Sequence, residues 1–307
     1  MGLLSGKAVV VTGSGKGLGR AYAIALANEG AGVVVNDIDV QSAEKTAADI
    51  RATGSTAAIS TDSVSSWAGA ERIVGTCVKT FGRIDALVNN AGISRRGMIW
   101  EVNERQFDEL TSVHLKGTFA CAHFAAQQMK EQRSGSIINI SSRAQSGRGN
   151  HSLYSAAKAA VLGATFAWSL ELAPYGVRVN AIFPYAQTTM RPGFVKETTM
   201  HPNLDSHYKP GEEADPPVPF PPAETVAPIV VYLACDEASW ISGQILFLAG
   251  DTLALVSHPA PVRVAYKKDG WTTKDLQEYF RQSIGSSLFP VGFGNPRYDW
   301  YGGVKPT

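Results

Sequence analysis

The chain has 307 residues, of which 44% are hydrophobic and 18% charged, with 30 glycines and 16 prolines. This length allows one large α/β domain or two small ones, and the composition is typical of a globular protein and excludes a disordered tail or a fibre. The formal net charge is only +1, and no basic run is interleaved with aromatic residues, so nucleic acid is not expected as a partner.

Hydrophobic periodicity predicts strands that alternate with helices along most of the chain. In chain order it predicts a strand at 8–11, a helix at 18–28, a strand at 32–36, a helix at 42–52, a strand at 56–60, a helix at 70–81, a strand at 84–89, a helix at 104–132, a strand at 136–140, a helix at 153–173, a strand at 177–182, a helix at 225–235 and a strand at 244–248. Such alternation indicates an α/β fold, a doubly wound Rossmann-type parallel sheet of about seven strands flanked by helices.

Two segments interrupt this alternation. Residues 187–222 are rich in proline and polar residues and follow the sixth strand, where ligands enter open α/β sheets, so they are predicted to form a lid over the substrate. Residues 251–307 are predicted to form a C-terminal extension packed on the domain or on a neighbouring subunit, with a short helix capped by Thr272 or Thr273. Residues 1–250 then form a single domain.

Location and metal content are predicted from simple patterns. The three cysteines are few and widely spaced, which favours a reducing compartment and predicts a cytoplasmic protein. No apolar run reaches the roughly 18 residues needed to cross a bilayer, so no membrane association is expected. No histidine pattern such as HExxH is present, so no metal is expected.

A glycine-rich turn, TGSGKGLG at residues 12–19, joins the first strand to the first helix. A pyrophosphate needs backbone N–H groups that point at it and no Cβ in the way, and glycines at this turn supply both. The turn also resembles an ATP-binding P-loop, but the residue after Lys16 is Gly17 and not the Ser or Thr that holds magnesium. The turn therefore predicts a dinucleotide site formed by Gly13, Lys16, Gly17, Leu18 and Gly19.

The choice of dinucleotide is predicted from Asp37, which stands at the end of the second strand about twenty residues beyond the glycines. A carboxylate there accepts hydrogen bonds from a ribose 2′-OH and repels a 2′-phosphate, which favours NAD over NADP. Lys16 is a weak opposing signal, because a basic residue can attract that phosphate. The alternative for Asp37 is an ordinary loop carboxylate.

Tyr154 and Lys158 are spaced i and i+4 in the predicted helix 153–173, and so lie on one face. An ammonium close to a phenol lowers the pKa of the phenol, which makes Tyr154 a usable proton donor or acceptor for an alcohol and ketone pair. The same stretch contains Ser155-x-x-Lys158, the opening of a serine acyl-enzyme signature, but the other motifs of that signature are missing.

Four motifs now occur together and in order: TGxxxGxG from Thr12, NNAG at residues 89–92, a serine ending the fifth strand, and YxxxK from Tyr154. With these motifs the chain resembles the short-chain dehydrogenase/reductase (SDR) family over residues 4–250. The resemblance implies a dinucleotide-binding and catalytic domain that interconverts a secondary alcohol and a ketone. It also implies a homo-oligomer, a dimer or a tetramer, and a small-molecule substrate.

The resemblance also implies residue roles. Tyr154 would be the general acid/base, Lys158 would bind the nicotinamide ribose and lower the tyrosine pKa, and Ser142 would hydrogen-bond the reacting oxygen. The usual spacing to the tyrosine would select Ser141 instead, so the choice of serine stays open. Further cofactor contacts are implied for Asp62, Ser63, Asn90, Ala91, Gly92 and Thr189.

Two departures from the family pattern stand out. His114 replaces the asparagine of the usual catalytic tetrad, and Tyr185 replaces the glycine that usually follows Pro184. A histidine can still hold a water in a proton relay, and its titration would then enter the pH profile. The alternative is a buried histidine that only packs.

Local stretches such as GLGRAY at residues 17–22 and VVVND at residues 33–37 are similar to one subgroup, the (3R)-hydroxyacyl-CoA dehydrogenase domain of multifunctional β-oxidation enzymes, which also acts on hydroxysteroids. The expected function is therefore an NAD-dependent oxidoreductase acting on a secondary alcohol. The alternative of a different class is a non-catalytic dinucleotide-binding sensor or scaffold on the same fold.

Overall fold

A computed structural model of the chain describes residues 2–186, 221–261, 263–268 and 270–287. The strands are β1 (Ala8–Thr12), β2 (Gly32–Asn36), β3 (Ala57–Ser60), β4 (Ala86–Asn89), β5 (Gly135–Ile140), β6 (Val177–Pro184), β7 (Ile245–Ala249) and β8 (Thr252–Val256). The α-helices are α1 (Gly17–Asn28), α2 (Val40–Ala52), α3 (Trp67–Phe81), α4 (Glu104–Thr111), α5 (Thr118–Gln132), α6 (Ser152–Leu172), α7 (Ala227–Ala234) and α8 (Thr273–Tyr279). The predicted lid falls almost entirely outside the described residues.

All eight strands belong to one sheet, in the order β3-β2-β1-β4-β5-β6-β7-β8. The first seven strands pair in parallel and β8 pairs antiparallel with β7, as in Ala249 opposite Thr252. The predicted doubly wound α/β fold is confirmed. The eighth strand was not predicted, and its residues lie in the segment that the sequence analysis assigned to the C-terminal extension.

The core forms two layers, one on each face of the sheet. Side chains alternate along β1, so Val9 and Val11 pack in the layer that contains α1 and α7, while Ala8 and Val10 pack in the layer that contains α3 and α5. All four side chains are buried. Burial on both faces is why the central strands are continuous apolar runs.

The predicted helix at 104–132 is interrupted. α4 begins at Asn103, whose side chain forms a reciprocal capping box with Gln106. A single π-helical stretch, Ser112–Gly117, then separates α4 from α5 and carries His114 to the buried side. Gly117 in this stretch packs closely on the core layer that contains α3. A Cβ on Gly117 would lie 2.9 Å from the Cγ2 atom of Val64 in that layer.

Part of the C-terminal segment packs on the sheet. Besides the pairing of β8 with β7, the ring of His258 lies 4.6 Å from the ring of Phe166 in α6. The helix α8 begins at Thr272, which forms a capping box with Asp275, so the predicted cap is confirmed at Thr272. Trp300 and Tyr301 lie outside the described residues.

A chain of buried amides ties α6 to the middle of the sheet. Asn89 Nδ2 donates to Asn139 Oδ1 at 2.9 Å, and Asn139 Nδ2 donates to the hydroxyl of Thr165 in α6 at 2.9 Å. The hydroxyl of Thr165 in turn donates to the carbonyl of Val161. Because all three polar side chains are buried, a missing partner leaves a polar atom away from water.

We therefore expect Thr165→Val, which keeps the side-chain shape but leaves the Asn139 amide without its acceptor, to lower the free energy of unfolding by about 1–3 kcal/mol. Urea denaturation followed by circular dichroism measures the change. The matched control is Thr118→Val in α5, which makes the same replacement outside this network and should cost less than about 0.5 kcal/mol. Equal losses in the two variants would contradict the role of the network.

Candidate active site

The strand order reverses between β1 and β4, and a crevice opens there at the carboxyl ends of the strands, as it does in doubly wound sheets. A cavity of about 300 Å³ occupies this crevice. It brings together most of the residues predicted to bind the cofactor: Gly13, Lys16, Leu18, Gly19, Asp37, Asp62, Ser63, Asn90, Ala91 and Gly92. Thr189 lies outside the described residues.

The glycine turn is fixed by close backbone packing. Gly13 has φ +61, and a Cβ there would lie 2.8 Å from the Ala91 Cα atom. A Cβ on Gly19 would lie 2.1 Å from the carbonyl oxygen of Gly13. The side-chain amide of Asn90 donates to the carbonyls of Thr12 and Gly13, both at 2.9 Å. These contacts hold the turn so close to the neighbouring backbone that no side chain larger than that of glycine fits at Gly13 or Gly19.

Asp37 closes one end of the cavity at the tip of β2. Its Oδ2 accepts from the backbone N–H of Gly15 at 2.9 Å, and its Oδ1 accepts from the N–H of Asp39 at 3.0 Å. The carboxylate is thus held at the base of the glycine turn. A Cβ on Gly15 would lie 2.8 Å from the Asp37 Oδ2 atom, so this position also requires a glycine.

Lys16 is paired with a different acid. Its Nζ lies 2.7 Å from Asp39 Oδ2, and this hydrogen bond holds the pKa of Lys16 above its usual value and lowers the pKa of Asp39 to about 2. Asp39 also caps α2 by accepting from the N–H of Ser42. The ammonium that could attract a 2′-phosphate therefore has a carboxylate as its direct partner.

The far side of the cavity is formed by the loop after β3. Asp62 accepts from the guanidinium of Arg72 at 2.7 Å and from the hydroxyl of Ser60 at 3.1 Å. The side-chain amide of Asn36 donates to the carbonyls of Ser60 and Asp62, which ties the ends of β2 and β3 together. Ser63, the other residue predicted in this loop, shares a hydrogen bond with Ser65.

A second cavity, of about 130 Å³, adjoins the first and shares Leu18, Asn90 and Gly92 with it. It contains all the residues predicted to be catalytic: His114, Ser141, Ser142, Tyr154 and Lys158. Most of the residues predicted to bind the cofactor and all those predicted to be catalytic therefore line two adjoining cavities, which together form one cleft.

Tyr154 and Lys158 lie one turn apart in α6, with the Lys158 Nζ atom 5.7 Å from the centre of the tyrosine ring. Lys158 is buried, and its Nζ donates to the carbonyl of Ile140 at 2.6 Å. Burial disfavours the charged ammonium and lowers the pKa of Lys158 to about 7. The buried ammonium therefore gives up its proton more readily than that of an exposed lysine.

The two candidate serines have different environments. The hydroxyl of Ser141 is buried and donates to the backbone carbonyl of Lys158 at 2.8 Å, so it links β5 to α6. The hydroxyl of Ser142 is half-buried and accepts from the N–H of Ala144 at 3.1 Å. Accepting this bond leaves the proton of Ser142 available for donation, whereas the proton of Ser141 is used.

His114 is buried beside Tyr154, with the two rings perpendicular and their centres 5.4 Å apart. Its Nε2 lies 2.7 Å from the carbonyl oxygen of Ile93 and 3.1 Å from the backbone nitrogen of the same residue. The shorter distance favours a proton on Nε2, which leaves Nδ1 as an acceptor with no hydrogen-bond partner within the described part of the chain. Gly92 makes room for the ring, since a Cβ there would lie 2.6 Å from its Cε1 atom.

Burial, assisted by the charge of Lys158, lowers the pKa of His114 to about 3. The imidazole is therefore neutral throughout the range in which enzymes usually work. We therefore expect its titration to lie below the pH range of the activity profile, because burial of the ring disfavours the charged imidazolium.

Several residues that line the second cavity were not predicted from the sequence. Arg96, Arg148 and His151 belong to no motif, and they meet only because loops far apart in sequence come together. Pro184 and Tyr185, singled out earlier as a departure from the family pattern, line the same cavity. Tyr185, which replaces the glycine that usually follows Pro184 in the family, therefore lines the cavity with the residues predicted to be catalytic.

Two further features, a metal-binding cluster and a membrane-spanning helix, are absent from the described residues. There, no three side chains among His, Cys, Asp and Glu come together in a way that could hold a metal ion. No helix in those ranges is both long and apolar enough to cross a membrane. The three cysteines, Cys77, Cys121 and Cys235, are buried free thiols.

Comparison with known proteins gives consistent matches. The family model for short chain dehydrogenases matches residues 7–205. An uncharacterized oxidoreductase of Thermotoga maritima is 38% identical over 81% of this chain and 98% of its own length. The BbsD subunit of a (2S)-[(R)-hydroxy(phenyl)methyl]succinyl-CoA dehydrogenase of Thauera aromatica is 33% identical over 80% of this chain and 96% of its own length.

Among solved structures, a short chain dehydrogenase from Mycobacterium avium superposes with a TM-score of 0.80 at 33% identity, and the match covers 95% of this chain and 99% of that one. The family match extends over the glycine turn, the NNAG motif and the Tyr154–Lys158 pair, which the structure has placed along one cleft. The chain belongs to the short-chain dehydrogenase/reductase family of oxidoreductases.

Proposed function

We propose that the chain is an NAD-dependent oxidoreductase that interconverts a secondary alcohol and a ketone, with Tyr154 as the group that moves the proton. The observation that carries this proposal is the single cleft, which has the Asp37 carboxylate at one end and the Tyr154 and Lys158 pair at the other. A non-catalytic sensor would have no use for a buried lysine beside a tyrosine, because burying that ammonium costs free energy.

The described residues fit a nicotinamide dinucleotide, the cofactor class of this family. Backbone packing leaves no space for a Cβ at Gly13 or Gly19, which supports a pyrophosphate lying against the turn. Asp37 would accept from the adenosine ribose hydroxyls, and Lys16 is already paired with Asp39, which together support NAD over NADP. When bound, the nicotinamide ring supplies the hydride acceptor or donor of the reaction.

The protein's own residues would handle the proton and the reacting oxygen. Tyr154 would take the alcohol proton during oxidation and return it during reduction, while the hydroxyl of Ser142 would donate to the same substrate oxygen. Lys158 would bind the nicotinamide ribose and favour the phenolate form of Tyr154 by its positive charge. The neutral His114 would offer Nδ1 as a fixed acceptor in the relay behind Lys158.

For the substrate, we propose a 3-hydroxyacyl thioester or a related hydroxyl compound such as a hydroxysteroid. The resemblance of residues 17–22 and 33–37 to hydroxyacyl-CoA dehydrogenase domains supports this class. The relative from Thauera aromatica is named for a CoA thioester that carries a secondary alcohol. A panel of secondary alcohols, hydroxyacyl thioesters and hydroxysteroids, followed by NADH absorbance, tests the proposal, and no turnover of any member would overturn it.

Cofactor preference provides the first functional prediction. The unmodified protein should have a higher kcat/KM with NAD than with NADP, and Asp37→Ser should lower the NAD value about tenfold because a charged hydrogen bond to the ribose is lost. NADH and NADPH absorbance measures both values. Asp49→Ser, which removes a carboxylate from α2 outside the cavity, should leave the preference unchanged, and an unmodified protein that prefers NADP would refute the assignment.

Tyr154→Phe should lower kcat by at least about 100-fold while NADH binding changes little, because the ring is retained and only the proton-transferring hydroxyl is lost. Lys158→Ala should weaken both kcat and NADH affinity. Fluorescence titration with NADH separates the two effects. Near-normal turnover by the Phe variant would shift support to another acid or to the sensor alternative.

A third prediction concerns His114. His114→Asn restores the usual residue of the family and should retain kcat within about tenfold, whereas His114→Leu should lose roughly 100-fold because no acceptor remains for the relay. The pH profiles of the unmodified protein and the Asn variant should coincide between pH 5 and 8, since the pKa of His114 lies at about 3. Equal activity in the Leu and Asn variants would mean that His114 only packs.

A further inference from the structure

Charge is distributed unevenly along the cleft. Three carboxylates, those of Asp37, Asp39 and Asp62, line the first cavity. In the second cavity the lining residues with ionisable nitrogen are Arg96, Arg148, Lys158, His114 and His151, and none of the described residues there is acidic. Among the described residues, the end of the cleft where the reaction is proposed to take place is therefore the basic end.

The two arginines are brought to this cavity by a direct link between two loops. The loop after β4 and the loop after β5 meet where the N–H of Gly97 donates to the carbonyl of Asn150 at 3.1 Å, and Gly97 also forms a bridge with His151. Arg96 directly precedes this link in the first loop, and Arg148 lies just before it in the second. The link holds together the two loop segments that carry Arg96 and Arg148, and both residues line the cavity that Tyr154 also lines.

We propose that Arg96 and Arg148 form an anion subsite, which binds a carboxylate of the substrate close to the reacting alcohol. This inference rests on the proposed function and names the substrate class within it: a hydroxy acid, or a hydroxyacyl compound with a free carboxylate. A guanidinium presents N–H groups in a planar fork that matches the two oxygens of a carboxylate, which a single ammonium cannot do. Arg148 is half-buried, so its contact with an anion is partly shielded from water.

The same anionic chemistry could come from a second source, the phosphates of a thioester carrier. In such a compound the long pantetheine arm separates the phosphates from the carbon that reacts. Arg96 and Arg148 line the same cavity of about 130 Å³ as Tyr154, which favours an anion close to the reacting alcohol. The proposal therefore assigns the subsite to a carboxylate on the substrate.

Matched acids and esters test this assignment. The acids 3-hydroxyhexanoate and mandelate each differ from their methyl ester by the negative charge and one methyl group. The unmodified protein should have a kcat/KM for each acid at least about tenfold above that for its ester. Arg96→Met and Arg148→Met should each lower kcat/KM for the acid by about 10- to 100-fold through KM, since a hydrogen bond between charged groups is lost. The values for the esters should change less than threefold, roughly the effect of an uncharged contact.

Arg95→Met is the matched control, because Arg95 carries the same charge in the same loop and does not line the cavity. It should leave the preference for the acid unchanged, which separates a local contact from a general loss of positive charge. Arg96→Lys should recover only part of the lost acid activity. An equal effect of Arg95→Met and Arg96→Met would overturn the subsite.

Thioesters separate the two sources of charge. If the subsite instead holds carrier phosphates, Arg96→Met will weaken turnover of a 3-hydroxyacyl-CoA but not of its uncharged N-acetylcysteamine analogue. The acid and its ester will then be equally good substrates. This result overturns the carboxylate assignment.

Calorimetric titration of 3-hydroxyhexanoate with NADH present gives a readout that does not require turnover. Tighter binding of the acid than of its ester, lost in Arg96→Met, supports the subsite even if no alcohol is oxidised, in which case the proposed function alone fails. Equal binding of acid and ester refutes the subsite.

Discussion

The reversal of strand order between β1 and β4 is the constraint on which the rest of this protein depends. Parallel strands need crossover helices, and the helices that follow β1 and β4 leave toward opposite faces, so nothing fills the space above the two strand ends. The glycine turn, Asp37 and the NNAG loop all border that space. Their side chains and backbone N–H groups meet there because the topology leaves the crevice open. Glycines such as Gly13, Gly19 and Gly92 then fit where a larger side chain would collide with its neighbours.

Helix α6 depends on a second set of constraints, all of them polar and buried. Lys158 donates to the end of β5, and Ser141 returns a hydrogen bond to the backbone of Lys158. Thr165 continues the contact about two turns further along the same face of the helix. Each group would be costly to bury without its partner, so together they allow one position of the helix on the sheet. Tyr154 belongs to the same helix, so packing at the centre of the sheet also fixes the position of Tyr154 in the cleft.

Local patterns were sufficient to predict much of this arrangement, and their limits have physical reasons. The strands and the glycine turn are visible in sequence because each depends on a few neighbouring residues, and Tyr154 and Lys158 meet because helical spacing dictates it. β8 was missed because only pairing with β7 makes an exposed segment, TLALV, into a strand. Arg96 and Arg148 were missed because their meeting depends on a contact between loops about fifty residues apart. The neutral state of His114 depends on burial, which spacing does not reveal.

The π-helical stretch at Ser112–Gly117 has a consequence for the way this site could change over time. A π turn holds one residue more than an α turn, and each residue added to or removed from a helix rotates everything beyond it by about 100°. Deleting a single codon in this stretch would turn either His114 or the whole apolar face of α5 away from its partners. Substitutions at position 114 that keep a hydrogen-bond acceptor are therefore tolerated, whereas changes in length here are not, and lineages that share this cleft should keep the helix length even where they differ in the residue beside Tyr154.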